Sequence, residues 1–225
     1  LSLLMGLAMQ VDSSGANETY TDFNLDVSMR EWIGERAFGT AATKTIVVPN
    51  KTYEASVKIQ REAIEDDRTG IFETEIKGLA DAYNRKLRLD AVNMFLTGNV
   101  ANANAPTFDG GAFFQATHDV GGLAGNQSNI TVGALTGANF DAAKKTMRTL
   151  VNHLGEPLEV EPDLLIVGPE LEATCEDLFD KQMLSGGESN VRYKKINWVV
   201  VNSFGSADDW FLLDTSKALK PIIFQ

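Results

Sequence analysis

The chain has 225 residues, of which 44% are apolar, 8% aromatic and 23% charged, the ordinary make-up of a folded protein with a substantial core in one or two domains. Thirty-one acids against twenty bases give a net charge of −11, and an acidic surface repels phosphate backbones, which argues against nucleic-acid binding through a basic patch. A single cysteine, Cys175, excludes an intrachain disulfide and fits a reducing compartment.

Residues 1–9 are apolar but too short to span a bilayer and carry no basic flank, and without Met at position 1 the chain reads as a processed or partial product. Residues 10–25 show no sustained period, and Ser13, Ser14, Gly15 and Asn17 read as a loop, so an arm over 1–27 is expected. Residues 28–60 read as a β-ribbon. Ile46, Val47 and Val48 lead to the turn dipeptide Pro49-Asn50, and an alternating strand follows. In that strand Tyr53, Ala55, Val57 and Ile59 face one way, and Thr52, Glu54, Ser56, Lys58 and Gln60 the other.

An acidic cluster of Glu62, Glu65, Asp66 and Asp67 precedes a predicted helix over 71–97. Phe72, Ile76, Leu79, Tyr83, Leu87, Ala91 and Met94 recur there at steps of three and four, and Gly98 supplies the stop. Such a helix spans about 40 Å. Leu89, Val92, Phe95 and Leu96 widen its apolar face in the second half, so it runs from a surface into a core. Residues 99–138, rich in Gly, Ala and Asn, read as a long loop region with short strands, of the kind that is functional or interface-forming. An α/β alternation follows: a helix over 140–153 ended by Gly155, a buried strand at 164–167, and a helix over 170–179 begun by Pro169. Strands are expected at 198–201, 210–213 and 222–224. The last of these ends the chain as an unpaired edge.

A search for chemistry is negative. His118 and His153 are the only histidines, and neither has a second ligand at helical spacing, so zinc is not supported. The cluster at 62–67 lacks the fixed ligand spacing and central Gly of a calcium loop and reads as a solvated acidic turn. There is no Gly-x-Ser-x-Gly turn and no phosphate-binding glycine loop. Cys175, among Glu172, Glu176 and Asp177 on a helix, reads as a small buried side chain whose thiolate is disfavoured. Arg85, Lys86 and Arg88 read as a solvated helix face. No catalytic residue, cofactor or metal is expected.

Two blocks carry a family resemblance. One runs from Arg30, Glu31, Trp32, Ile33, Gly34 and Arg36 through Asn50, Lys51, Thr52, Tyr53 and Glu54 to Glu65, Asp66, Asp67, Gly70, Ile71 and Phe72. The other is residues 210–216 followed by Leu219, Lys220, Pro221, Ile222 and Ile223, with Phe113, Phe114, Thr117 and His118 between the two. Over residues 22–225 the chain resembles the major head subunit of Mu-like bacteriophages and prophages. The resemblance implies an α+β, Hong Kong 97-type capsid fold: N-terminal arm (1–27), extended β-loop (28–60), peripheral domain (61–110) with a spine helix (71–97), axial domain (111–205) and a return segment (206–225).

It also implies a non-enzymatic shell subunit. Copies would assemble in hexamers and pentamers, in the host cytoplasm, into an icosahedral virion capsid enclosing double-stranded DNA without sequence-specific binding. Scaffold, portal and decoration proteins would be partners, and no membrane is involved. The ribbon is expected to lie across an adjacent subunit, with Trp32, Tyr53 and Val57 as apolar anchors and Arg36, Lys51, Glu54 and Lys58 as a polar rim. Two rival readings are a protein nanocompartment or gene-transfer particle with the same fold, and a solitary α/β enzyme or ligand-binding domain at 111–225.

Overall fold

A computed structural model describes residues 6–25, 34, 41–56, 58, 61, 71–101, 106–120, 125–184, 186–206, 208–217, 220 and 222–225. Its centre is a three-stranded sheet built on the most apolar tetrapeptide of the second half. Strand β6 (Leu164–Val167) lies between β7 (Asn197–Val200), parallel to it, and β8 (Trp210–Leu213), antiparallel. All four β6 residues are buried, because the strand is covered on both faces.

The two-residue period of the strand divides the core into two layers. Leu164 and Ile166, with Val199, Phe211 and Leu213 of the flanking strands, face a cluster containing Leu7, Val92, Phe95, Phe204 and Ile222. Leu165 and Val167, with Trp198, Val200, Trp210 and Leu212, face Leu135, Phe140, Leu171, Cys175 and Phe179. The first cluster receives the end of helix α1 (Ile71–Leu96). The second receives helix α2 (Gly137–Arg148) and a helical run that changes pitch: a 3₁₀ turn at Pro169–Leu171, α3 (Glu172–Cys175), then one π turn at Glu176–Asp180. Edge-on ring contacts tie each layer, Phe95 to Phe211 at 5.2 Å and Phe140 to Phe179 at 4.9 Å.

Helix α1 is about 39 Å long. Its end is in the core, with Val92 1% exposed, whereas Ile76 is 56% and Tyr83 61% exposed. The expected passage from surface to core is therefore present. The residues buried deepest, Val92 and Phe95, belong to the widened end and not to the seven-residue stripe. Position 98, two residues beyond the helix, takes glycine for a steric reason. A Cβ there would lie 2.7 Å from the Phe114 ring and 2.8 Å from the Met94 carbonyl, and the Gly98 carbonyl accepts the Phe114 N–H at 2.7 Å.

The N-terminal third differs from expectation in two ways. The ribbon pairs β2 (Asn17–Leu25) antiparallel with β3 (Ala41–Pro49), in register from Asn17↔Pro49 to Leu25↔Ala41. Residues 51–56 are not a strand, although their alternation is the cleaner of the two. Alternation reports only that two faces would differ; a strand also needs a hydrogen-bonding partner, and β3 has taken β2. The second correction concerns β9 (Ile222–Phe224), which is not unpaired: β1 (Ala8–Gln10) pairs with one of its edges in parallel, and the Val11 N–H extends the ladder to the Phe224 carbonyl. Trp32, Arg36 and Val57 lie outside the described residues, as does the acidic cluster at 62–67.

Candidate assembly surface

The surface expected to meet neighbours is built from the ribbon, residues 50–58 and the exposed half of α1. At about 3.3 Å per residue the ribbon strands are each about 30 Å long. Its two faces differ near the root. Glu18, Tyr20, Ile46 and Val48 are half-buried, while Asn17, Thr19, Thr21, Thr45, Val47 and Pro49 are exposed. Among the described residues β2 and β3 pair only with each other, so each keeps one open edge of backbone donors and acceptors.

Of the predicted contact residues, Lys51, Tyr53, Glu54 and Lys58 are all exposed. Among the described residues, Tyr53 is the one brought against another element: the Lys86 ammonium of α1 sits 4.6 Å from the centre of its ring and also bonds Asp90 one turn on. The Asp90 hydrogen bond holds the Lys86 ammonium above the usual lysine range. Part of the basic run at 85–88 is therefore used within the chain.

The loop region is ordered by side chains in place of strands. Among its described residues only two short pieces pair, β4 (His118–Asp119) with β5 (Asn126–Gln127). Around them Asp109 accepts from Thr107 Oγ1 (2.8 Å), the Gly111 N–H (3.1 Å) and Gln115 Nε2 (2.8 Å), and its Oδ2 lies 2.7 Å from His118 Nδ1. His118 Nε2 faces the Phe113 carbonyl at 2.9 Å. Burial alone would raise the Asp109 carboxyl, but the hydrogen bonds from His118, Thr107 and Gly111 outweigh it and hold the group at about 2. Asn129 closes the same loop, donating to the Phe113 carbonyl at 2.6 Å and accepting the Gln115 N–H at 2.9 Å. This knot carries Phe113 and Phe114, and through Phe114 it is pressed onto the end of α1.

A second knot explains the Asp214-Thr215-Ser216 segment that figures in the resemblance. Asp163, just before β6, accepts from the Thr215 N–H at 2.8 Å and its hydroxyl at 2.5 Å. Asp214 accepts from Ser216 and from the Glu161 N–H at 2.9 Å. Together they tie the exit of β8 to the entry of β6. Sequence reasoning also passed over Asn190, whose buried amide donates to the Leu178 and Lys181 carbonyls at 2.9 and 2.7 Å and so closes the π turn. A lone polar residue gives no periodic signal.

Cys175 is fully buried, and burial, reinforced by Asp180, pushes its thiol up to about 12. A hollow of about 330 Å³ is lined by His118, Val120, Leu150, Val151, His153 and Leu158, among others, and its wall is mostly apolar. The ring nitrogens of His118 are taken up by the Asp109 knot and the Phe113 carbonyl, so that ring is a loop staple. Among the described residues no three His, Cys, Asp or Glu side chains converge as a metal site, and no helix is long and apolar enough to cross a membrane.

Comparison with known proteins agrees with this architecture. Bacteriophage JBD30 capsid protein superposes with a TM-score of 0.68 at 20% identity, over 88% of this chain and 89% of that one. The fold is thus the mixed α and β fold of phage capsid subunits, of the Hong Kong 97 type. The Mu-like prophage FluMu major head subunit of Haemophilus influenzae is 28% identical over 130 residues, which are 58% of this chain and 41% of that protein. The major capsid protein of Escherichia phage Mu is 28% identical over 130 residues, 55% of this chain and 41% of that protein. The alignments therefore span less than half the length of these curated relatives. The profile of the Mu-like prophage major head subunit gpT family matches residues 2–135 and 131–204, and on that extent of agreement the chain belongs to the Mu-like major head subunit family.

Proposed function

We propose that this chain is the shell-forming body of a major capsid subunit, whose copies assemble into the head of a Mu-like phage or prophage around double-stranded DNA. The observation that carries this reading is the pairing of a ribbon about 30 Å long, open at both edges among the described residues, with a spine helix that leaves Ile76 and Tyr83 exposed. Both are poorly used by a solitary subunit and well used by a neighbour. The ribbon of one copy lies across the next. Lys51, Tyr53, Glu54 and Lys58, with Trp32, Arg36 and Val57, supply contacts there. Residues 1–16, the part of the expected arm (1–27) that lies outside the ribbon, act as the arm, 61–110 as the peripheral domain, 111–205 as the axial domain at hexamer and pentamer centres, and 206–225 as the return segment. The ribbon reaches back into the arm at Asn17, so the functional extended loop is better drawn as 17–60. Scaffold, portal and decoration proteins complete the particle, assembly takes place in the host cytoplasm, and the acidic surface lets packaged DNA slide past without sequence-specific contact.

The test is electron microscopy of the full-length gene product after gel filtration. Closed shells, or rings of five and six, are expected. A monodisperse monomer or dimer at shell-forming concentrations would remove the reading. Deletion of the ribbon should abolish high-order assembly and leave a soluble body. Shells that fill with protein and exclude DNA would point to a nanocompartment instead.

A further inference from the structure

Among the described residues the ribbon meets the core-rooted part of the chain at one small junction. Leu7 and Ile222 are buried in the first core cluster, and they anchor the two-stranded ladder of β1 and β9. Beyond that ladder the chain runs through residues 11–16 into β2, and it leaves β3 through Asn50. At this junction three side chains from distant parts of the sequence meet. The Tyr20 hydroxyl donates to Gln225 Oε1 at 2.7 Å, and Gln225 Nε2 donates to Asn50 Oδ1 at 2.6 Å and to the Val48 carbonyl at 3.2 Å. Asn50 in turn donates to Ser13 Oγ and the Gly15 carbonyl at 2.5 and 2.6 Å, while its own N–H reaches the Ala16 carbonyl at 2.9 Å. Gln225 follows β9 directly, so its amide grips both ribbon strands from a segment rooted in the core.

We propose that Tyr20, Asn50 and Gln225 form a polar latch that fixes the direction in which the ribbon leaves the body, and that opening it lets the ribbon swing about residues 11–16. The assembly role rests on the function proposed above; the mechanical claim does not. Three features support it. The latch lies on the half-buried ribbon face that also holds Ile46 and Val48, so it sets which face turns toward the body. Its bonds join neutral groups near the surface, where water can replace each one, so the latch opens without leaving a buried group unsatisfied. Burial, with Glu18 nearby, moves the Tyr20 phenol upward, which keeps its hydroxyl a donor. A shell whose subunits occupy unequal environments needs an arm whose angle can change while its strands stay paired, and a latch at the root provides that without melting β2 from β3.

The test uses the full-length subunit, unassembled, with spin labels on Thr45→Cys in the ribbon and Glu170→Cys on the body, both exposed positions. Double electron–electron resonance should give one narrow distance peak for the otherwise native protein. Tyr20→Phe, which removes a single hydroxyl and keeps the ring, should lose that narrow peak in favour of a broad distribution, and Gln225→Ala should broaden it further. Amide exchange of residues 164–167 should stay unchanged. A distribution as narrow in both variants as in the parent overturns the latch, and if Gln225→Ala fails to fold, Tyr20→Phe decides alone. Because both readouts use the soluble subunit, failure to form shells would count against the proposed function and leave this result standing.

Discussion

Gly98 and Asp109 show how single residues fix the junction between the spine and the rest of the molecule. At Gly98 the Phe114 ring and the Met94 carbonyl lie where a Cβ would go, closer than real Cβ contacts allow, and the carbonyl cannot move without uncoiling the last turn of α1. Gly98→Ala should therefore cost about 1–3 kcal/mol, as overpacking does, and lower the melting temperature of the unassembled subunit. Asp109 acts through charge. Its folded pKa of about 2 lies below the ordinary aspartate value of 3.8, so its contribution is full above that value and is lost as pH falls toward 2. The shift corresponds to at most about 2 kcal/mol. Asp109→Asn should destabilise the subunit at pH 6, and the gap to the parent should close between about pH 4.5 and pH 2 in melting curves recorded across that range. A gap that stays constant with pH would mean that the carboxylate charge does not matter.

Among the elements, legibility followed burial. Residues 164–167 are apolar without a break because the sheet is covered on both faces, and the strand was readable to the residue. The strands at 210–213 and 222–224 were readable because a core fixes a pattern, whereas the helix at 71–97 was readable from its three- and four-residue spacing although Ile76 and Tyr83 of that stripe are exposed. The ribbon was readable in one strand only: Ile46, Val47 and Val48 mark β3, but Thr19 and Thr21 line one face of β2, which lacks the apolar–polar contrast that marks a strand, and the cleaner alternation lies after Asn50. The pitch change at 169–180 also left no trace, because a π turn differs from an α turn by one hydrogen-bond step, here Lys181 N–H to the Glu176 carbonyl. Asn190 is what closes it. Asn190→Ala leaves the Leu178 and Lys181 carbonyls and the Arg192 N–H without that partner. A loss of about 1–3 kcal/mol is expected, with hydrogen exchange rising first in residues 176–181. Of the seven predicted contact residues, the sequence placed Tyr53 against the spine in no explicit way; a cation over an aromatic ring has no periodicity to read.

At the scale of the whole molecule, the question is why a helix about 39 Å long should be buried at its C-terminal end and leave Ile76 and Tyr83 exposed. A solitary domain gains nothing from Ile76 and Tyr83 in water, since exposed apolar area contributes no burial energy until something covers it. A shell subunit has a use for both ends: the end at Val92 and Phe95 fastens the helix to the sheet, and the other end presents a face to a neighbour. The two roles separate experimentally. Tyr83→Ser removes a ring that is 61% exposed, so the melting temperature of the unassembled subunit should hold, with a stability change within about 0.5 kcal/mol. Its assembly should weaken, because a covered aromatic is the kind of contact that carries interface energy, about 2 kcal/mol or more for a hot spot. Phe95→Ala is the contrasting variant: it empties part of the first core cluster and should cost about 3–5 kcal/mol in the subunit itself. Light scattering and melting curves of both variants make the comparison. A Tyr83→Ser protein that assembles as readily as its parent would move the contact away from the first turns of α1 and leave the ribbon to carry it. A Tyr83→Ser protein that melts early would show that the ring stabilises its own chain, through the same half of the helix that receives Tyr53.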